Sequence, residues 1–276
     1  MKIVCFVSGS GTNYGQIALK NPAHQYLVFT NRPDCGGVMI ARENRHPVVQ
    51  LSHIPYLRDA RRKYGPGNVP RNCPEREQYE KDALRLIEGR LGGRPDLVCL
   101  AGYDQWTTDW MVDAYYPRVL NVHPGDTTKG YTGFGWMASV KAILAGDDTV
   151  RSTLFIVDKG EDNGPVLAQS MPLNIHATLS ELDSGGSTAL VDGLRQFKRF
   201  VGTSYEDFRT AASPHELALM KLLGEELQGA LKIAGDWKIY PYAVKLIAEG
   251  AVEVEGRSVF VNGRLLPEFG LRMEEI

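Results

Sequence analysis

The chain has 276 residues, 43% hydrophobic and 23% charged, with 31 Lys and Arg against 33 Asp and Glu for a formal net charge of -2. That balance excludes a disordered or fibrous chain and lacks the global basic excess of a dedicated nucleic-acid binder. No apolar run reaches the ~18 to 20 residues of a membrane span, and the glycines at 9 and 11 interrupt the first apolar run before a signal segment could finish, so the expected setting is cytoplasmic, without membrane or nucleic-acid partners.

In chain order, short and nearly continuous apolar runs at 2–7, 26–30, 47–51, 96–101 and 118–122 alternate with helical patterns. Buried parallel strands in βαβ units read this way, because helices cover both faces of their sheet. The clearest helix follows Asn72-Cys73-Pro74, with a capping residue, an early proline, acidic residues in the first turn and a Leu/Ile face up to about residue 91. After residue 150, the runs RSTLFIVD and PVLAQSMPL flank KGEDNG and predict an antiparallel hairpin added to the sheet. Residues 177–233 are helical in pattern, with breaks near 185–186, 202 and 213–214. A last helix is expected over 241–249, followed by a β-like tail in which Asn262-Gly263 is a hairpin turn. The predicted fold is α/β: an open, mostly parallel, Rossmann-like sheet with helices on both faces, an antiparallel C-terminal extension and a helical insertion. It forms one domain over 1–276, with a phosphate-binding half at 1–100 and a catalytic half at 101–276. Cys5, Cys35, Cys73 and Cys99 form no CxxC pair and lack the His spacing of a zinc site, so neither a disulfide nor a metal is expected.

Two segments carry chemistry. The first strand ends in Ser8-Gly9-Ser10-Gly11-Thr12-Asn13, where a helix begins. Glycines let a backbone approach an anion, and the free N–H groups of a helix start favour one there. Tyr14 stands where a dinucleotide fingerprint needs its third glycine, and no Gly-Lys-Ser/Thr follows, so a monophosphate is expected. The alternative is a tight βα turn without a ligand. The fifth strand leads into Asn121-Val122-His123-Pro124, whose alternation sets Asn121 and His123 on one face at a strand end, where open α/β sheets bind ligands. An amide donor beside an imidazole suits a carbonyl that gains negative charge while protons are relayed. Asp162, in the turn before Gly164-Pro165, is a candidate to orient the imidazole, although acidic turn residues are commonly just solvated.

SGSGTN after the first strand, VCLAGY at the fourth, NVHP at the fifth, DKGEDNGPVLAQ and WKIYP, in this order, resemble the folate-dependent phosphoribosylglycinamide formyltransferases. The resemblance runs from residue 1 to about 272. It implies formyl transfer from 10-formyltetrahydrofolate to the amino group of glycinamide ribonucleotide in purine synthesis, without a metal. By position, Asn121, His123 and Asp162 match the catalytic trio, and Gly9, Ser10, Gly11, Thr12 and Asn13 match the segment holding the substrate phosphate. Asp236 falls where the family has a Glu facing the ribose or glycinamide end. Leu100, Gly102, Tyr103, Gln105, Val157 and Asp158 match the walls that receive the folate.

The chain also departs from the family. Gly125-Asp126-Thr127-Thr128-Lys129 replaces Ser-Leu-Leu-Pro-Lys, a second histidine is missing, and Asp104-Gln105 replaces Met-Arg in the fourth-strand loop. The turn before Asp162 has one extra residue. About 50 additional residues, at 177–228, precede WKIYP, and a further insertion occupies part of 58–74, where Arg58, Arg61, Arg62 and Lys63 read as a solvated helix face. The 177–228 insertion is expected to pack on the parent domain or on a second subunit of a homodimer, a substrate lid being the alternative. Three other functions stay in view: transfer to another amine such as an amino sugar, hydrolysis by a formyltetrahydrofolate deformylase, and a non-catalytic sensor. Deformylases usually carry an N-terminal regulatory domain, whereas the first strand here begins at Met1, and retention of the trio argues against a sensor.

Overall fold

A computed structural model describes residues 1–183 and 188–275. The first part alternates β1 (Lys2–Val7), α1 (Thr12–Lys20), β2 (Gln25–Thr30), α2 (Gly36–Glu43), β3 (Val48–Gln50), α3 (Ile54–Tyr64), α4 (Pro74–Leu91), β4 (Leu97–Leu100), α5 (Asp109–Tyr115) and β5 (Val119–His123). There follow α6 (Met137–Ala145), β6 (Thr149–Val150), β7 (Thr153–Ile156), β8 (Val166–Gln169), β9 (Leu173–Asn174), α7 (Ile175–Leu182), α8 (Ala189–Gln196), α9 (Tyr205–Ala211) and α10 (Pro214–Leu231). A π turn over Lys232–Asp236 leads into α11 (Trp237–Ala248), and β10 (Val252–Glu255), β11 (Ser258–Val261), β12 (Arg264–Leu265) and β13 (Leu271–Arg272) close the chain.

Eight strands form the main sheet in the order β13-β8-β7-β5-β4-β1-β2-β3, and a separate three-stranded sheet runs β10-β11-β12. The pairs β1–β2, β1–β4, β2–β3 and β4–β5 are parallel, as the continuous apolar runs require of strands covered on both faces. In β1, residues 3 to 7 are all buried. Asn262 and Gly263 both take positive φ, the geometry of the predicted turn between β11 and β12.

The chain divides into two compact units. The first comprises Met1–Asn121, Phe155–Pro165 and Pro241–Gly263. Its core joins Phe6, Phe29, Tyr79, Ile87, Val98 and Phe155, so the apolar face of α4 closes on the strands. The second comprises Val122–Leu154, Val166–Tyr240 and Arg264–Ile276. There the 177–228 insertion packs on α6: Leu179, Phe197, Phe208, Met220, Leu223 and Leu227 share one core with Val140 and Ile143. Gly224 permits the close approach of α10 to α6, since a Cβ there would stand 2.8 Å from the Trp136 carbonyl oxygen.

The structure revises two local expectations. Cys73, not Asn72, occupies the N-cap of α4, and the Asn72 side chain instead accepts from the Asp109 backbone N–H at 2.9 Å, at the start of α5. The last helix begins at Trp237 and contains Pro241 in its interior, because the π turn hands α10 directly into it. A proline has no N–H and usually starts or breaks a helix, and the neighbouring wide turn already departs from the regular ladder. The break expected near 185–186 lies outside the described residues. Arg58, Arg61, Arg62 and Lys63 do lie exposed on α3.

Candidate active site

In the first unit the glycine loop forms a close backbone contact. Gly11 takes φ +70, and a Cβ there would stand 2.2 Å from Gly37 Cα, while a Cβ on Gly36 would stand 2.9 Å from the Ser10 carbonyl oxygen. The Gly37 N–H donates to the Gly9 carbonyl at 3.1 Å. Gly11, Gly36 and Gly37 are therefore needed to bring two backbones together. Gly9 differs, having nothing within 4 Å of a Cβ, and both Gly9 and Ser10 are exposed. No side chain caps the start of α1, and Thr12 Oγ1 stands 3.3 Å from Ser10 Oγ. An uncapped helix start beside an open Gly-Ser step is suited to an anion. Asn13 is buried in the first turn.

Strand register brings the fourth-strand loop and Asn121 to the same sheet end. Phe6 pairs with Leu100 and Leu100 with Asn121, all in parallel strands, and the Asn121 side chain is half-buried. The Ser8 N–H donates to the Gly102 carbonyl at 3.0 Å, and Ser8 Oγ accepts from the Asp104 N–H at 3.0 Å. Asn31 accepts from Ser8 Oγ at 2.7 Å and donates to Asp104 Oδ1 at 2.7 Å, and Arg32 pairs with the same carboxylate. Burial opposes charge on Asp104, but the bonds from Gln105, Asn31 and Ser8 and the Arg32 guanidinium outweigh it and hold the carboxyl below its ordinary value. In the same cluster, His53 Nδ1 accepts from the Asn31 amide at 3.0 Å, and burial chiefly lowers its pKa.

The side chains that matched the folate walls are largely engaged within the unit. Tyr103 packs edge-on to Phe6 and Phe29 and shares a 3.0 Å hydrogen bond with Tyr79. Gln105 folds back on Asp104, Leu100 and Val157 are buried, and the Val157 N–H donates to the Val119 carbonyl. Gly102, with φ +83 and open space about it, leaves backbone accessible. Asp158 accepts from the Gly160 N–H at 2.9 Å and pairs with Arg257. Asp162 sits in the same turn at φ +47, a left-handed conformation uncommon outside glycine.

One residue the sequence did not single out dominates this turn. Arg71 Nε donates to the Thr107 carbonyl at 2.7 Å, Nη1 to those of Lys159 at 2.6 Å and Gly160 at 3.0 Å, and Nη2 to that of Asp158 at 3.1 Å. It lies in irregular chain between α3 and α4, where no periodicity marks it. Its only sequence signal is a cation set among prolines at 70 and 74.

In the second unit, His123 ends β5 and is buried. The chain then folds back tightly, since a Cβ on Gly125 would stand 2.5 Å from Ala138 Cβ and 3.3 Å from the His123 ring. Thr153 donates to the Gly125 carbonyl at 2.8 Å, and Gln169 donates to Asp126 at 2.8 Å, so the divergent Gly125-Asp126 segment is anchored on β7 and β8. Asp236 is buried in the π turn, a feature often found at functional sites. Among the described residues no group of His, Cys, Asp and Glu could hold a metal, and no helix is long and apolar enough to cross a membrane.

Comparison with known proteins gives consistent matches. A sequence model described as formyl transferase matches residues 1–188. The chloroplastic phosphoribosylglycinamide formyltransferase of Vigna unguiculata is 30% identical over 192 residues, covering 66% of this chain and 54% of that protein. The chain thus spans about half the length of that relative. The phosphoribosylglycinamide formyltransferase of Escherichia coli is 22% identical with 100% of both chains covered. A solved phosphoribosylglycinamide formyltransferase from Coxiella burnetii shares the fold, with a TM-score of 0.64 and 20% identity over 99% of this chain and 98% of that one.

Proposed function

Because the chain belongs to the formyl transferase family, we propose that it transfers a formyl group from 10-formyltetrahydrofolate to the amino group of glycinamide ribonucleotide. The observation that carries this reading is the register of the first unit. Phe6, Leu100 and Asn121 run side by side, so the glycine turn, the fourth-strand loop and the carboxamide leave the sheet at one end. The open Gly9-Ser10 step and the uncapped start of α1 receive the ribonucleotide phosphate, and Thr12 and Asn13 belong to the same turn.

In this mechanism the substrate amine attacks the formyl carbon and a tetrahedral oxyanion develops. Asn121 donates its carboxamide N–H to that oxygen, a bond that strengthens as the charge grows. His123 takes the proton from the attacking nitrogen and returns one to the folate nitrogen as its bond to the formyl carbon breaks. Asp162 orients the imidazole and stabilises its charged form, and Asp236 serves the ribose or glycinamide end. The folate enters along the backbone at Gly102 and the turn at 157–162, since most neighbouring side chains are already bonded.

Transfer to a different amine is the second reading, favoured by the Asp104 cluster, which places an anchored carboxylate and the Arg32 guanidinium beside the glycine loop. Product analysis separates the readings. With 10-formyltetrahydrofolate, formylated glycinamide ribonucleotide is expected only when that acceptor is present. Formate released without acceptor would establish a deformylase, and no turnover with this pair would refute the acceptor assignment. His123→Ala is expected to lower kcat by about a thousandfold while leaving the Kd for glycinamide ribonucleotide within about twofold. Parallel loss of both would make the histidine structural.

A further inference from the structure

The turn at 158–163 is held by cations that grip its backbone. Arg71 directs four hydrogen bonds at carbonyl oxygens, three of them from the consecutive residues 158, 159 and 160, so the chain curls around one guanidinium. The fourth, to Thr107, ties that cation to the chain just before α5. The tie is itself braced, because the Thr108 N–H and hydroxyl both donate to the buried Glu80 carboxylate of α4. From the other side, Arg257 pairs with the Asp158 carboxylate and donates to the Asn163 carbonyl at 2.6 Å. Lys159 reaches Asp113 of α5 at 2.7 Å. Gly164 fixes the exit of the turn, since a Cβ there would stand 1.9 Å from the Ile156 carbonyl oxygen.

We propose that Arg71 is a positioning residue of the formyl-transfer reaction: with Arg257 as its counterpart, it fixes the backbone of the turn that carries Asp162 and walls the folate donor. This rests on the function proposed above. Four bonds to carbonyls at a side chain only 19% exposed are more than a surface cation needs for solubility. A guanidinium supplies five N–H groups in a rigid planar fork, whereas a lysine ammonium offers three donors from one point and cannot span Thr107 and the turn together. The clamp acts on the donor side. The glycine loop is built from β1, α1 and α2 by other contacts, so the acceptor phosphate site is independent of it.

The test compares wild type, Arg71→Ala and Arg71→Lys in the full chain. In both variants the KM for 10-formyltetrahydrofolate is expected to rise tenfold or more, with the KM for glycinamide ribonucleotide within twofold. Free guanidinium ion should partly restore the donor KM of Arg71→Ala, and Arg71→Lys should not match wild type. Hydrogen exchange supplies a readout that needs no turnover: amides 158–163 should exchange at least tenfold faster in Arg71→Ala, with α1 and β1 unchanged. Faster exchange with an unaltered donor KM would overturn the positioning role, as would equal rises in both KM values or unchanged exchange. A wild type inert to 10-formyltetrahydrofolate would refute the proposed function and the donor-side role with it. The exchange result would then still decide whether Arg71 holds the turn.

Discussion

Gly9 and Gly11 lie two residues apart in one loop, yet an added methyl group meets open space at one and filled space at the other, and alanine at each position separates packing from the proposed phosphate binding. At Gly11 an added methyl carbon would stand 2.2 Å from Gly37 Cα and 2.8 Å from Gly37 N, and the residue would also be held at φ +70. The left-handed conformation costs a non-glycine residue ~1 to 2 kcal/mol, and forcing a methyl group into a filled contact costs ~1 to 3 more. The expected loss is therefore about 2 to 5 kcal/mol, a large part of a typical stability of ~5 to 15 kcal/mol. At Gly9 nothing lies within 4 Å of the methyl position, so Gly9→Ala should keep its stability within ~0.5 kcal/mol. The methyl group would instead occupy the open side proposed to receive the phosphate, and on that proposal affinity for glycinamide ribonucleotide should fall about tenfold, ~1.4 kcal/mol. Urea unfolding followed by circular dichroism and titration calorimetry measure the two effects. A Gly11→Ala protein with the wild-type urea midpoint, or a Gly9→Ala protein that binds the ribonucleotide normally, would refute the division of labour.

Two further outcomes follow from buried groups. Burial raises the Glu80 pKa to about 7 despite the bonds from Thr108 and the nearby Arg71 and Arg76, so the folded protein retains a proton that the unfolded chain releases near 4.5. Folding stability from this group is therefore full below about pH 4.5 and is lost as pH rises towards 7, by up to ~3 kcal/mol; the difference in urea midpoint between wild type and Glu80→Gln should narrow or reverse at low pH and favour the variant at pH 8. A difference that does not change with pH would show that Glu80 is ionised throughout. All four cysteines are free and buried, so a thiol reagent should label the native protein far more slowly than the urea-unfolded chain, which should yield four thiols. Rapid labelling of the native protein would contradict the burial of Cys35 or Cys73, the two outside the strands.

Much of the sheet is legible in the sequence because a buried parallel strand must be apolar on both faces, and β1, β2, β4 and β5 are written that way. The insertion is legible for a similar reason, its Leu and Phe residues recurring at helical spacing and meeting in one core with α6. What periodicity cannot reveal are bonds between distant coil segments. Asn72 looks like a cap for the helix beside it and instead serves a helix start 37 positions later. Arg71 sits among prolines with no pattern around it, and its partners are carbonyl oxygens, which have no sequence signature. The glycine loop is ambiguous in the sequence for a different reason. The same residue type answers both the need for close packing and the need for access, and only the positions of Gly36 and Gly37 show which glycine meets which need.

The grip of Arg71 on peptide oxygens has a consequence for how this rim of the molecule can vary. Every amino acid brings the same oxygen, so the hold of Arg71 on residues 158–160 passes through main-chain atoms and not through the side chain at 159, whereas Gly160 is itself required, because a Cβ there would stand 1.7 Å from Asn163 Oδ1. At 159 shape is thereby largely uncoupled from chemical character: a substitution there gives up the pair with Asp113 and changes what the rim touches, yet leaves the guanidinium's grip on the oxygens in place.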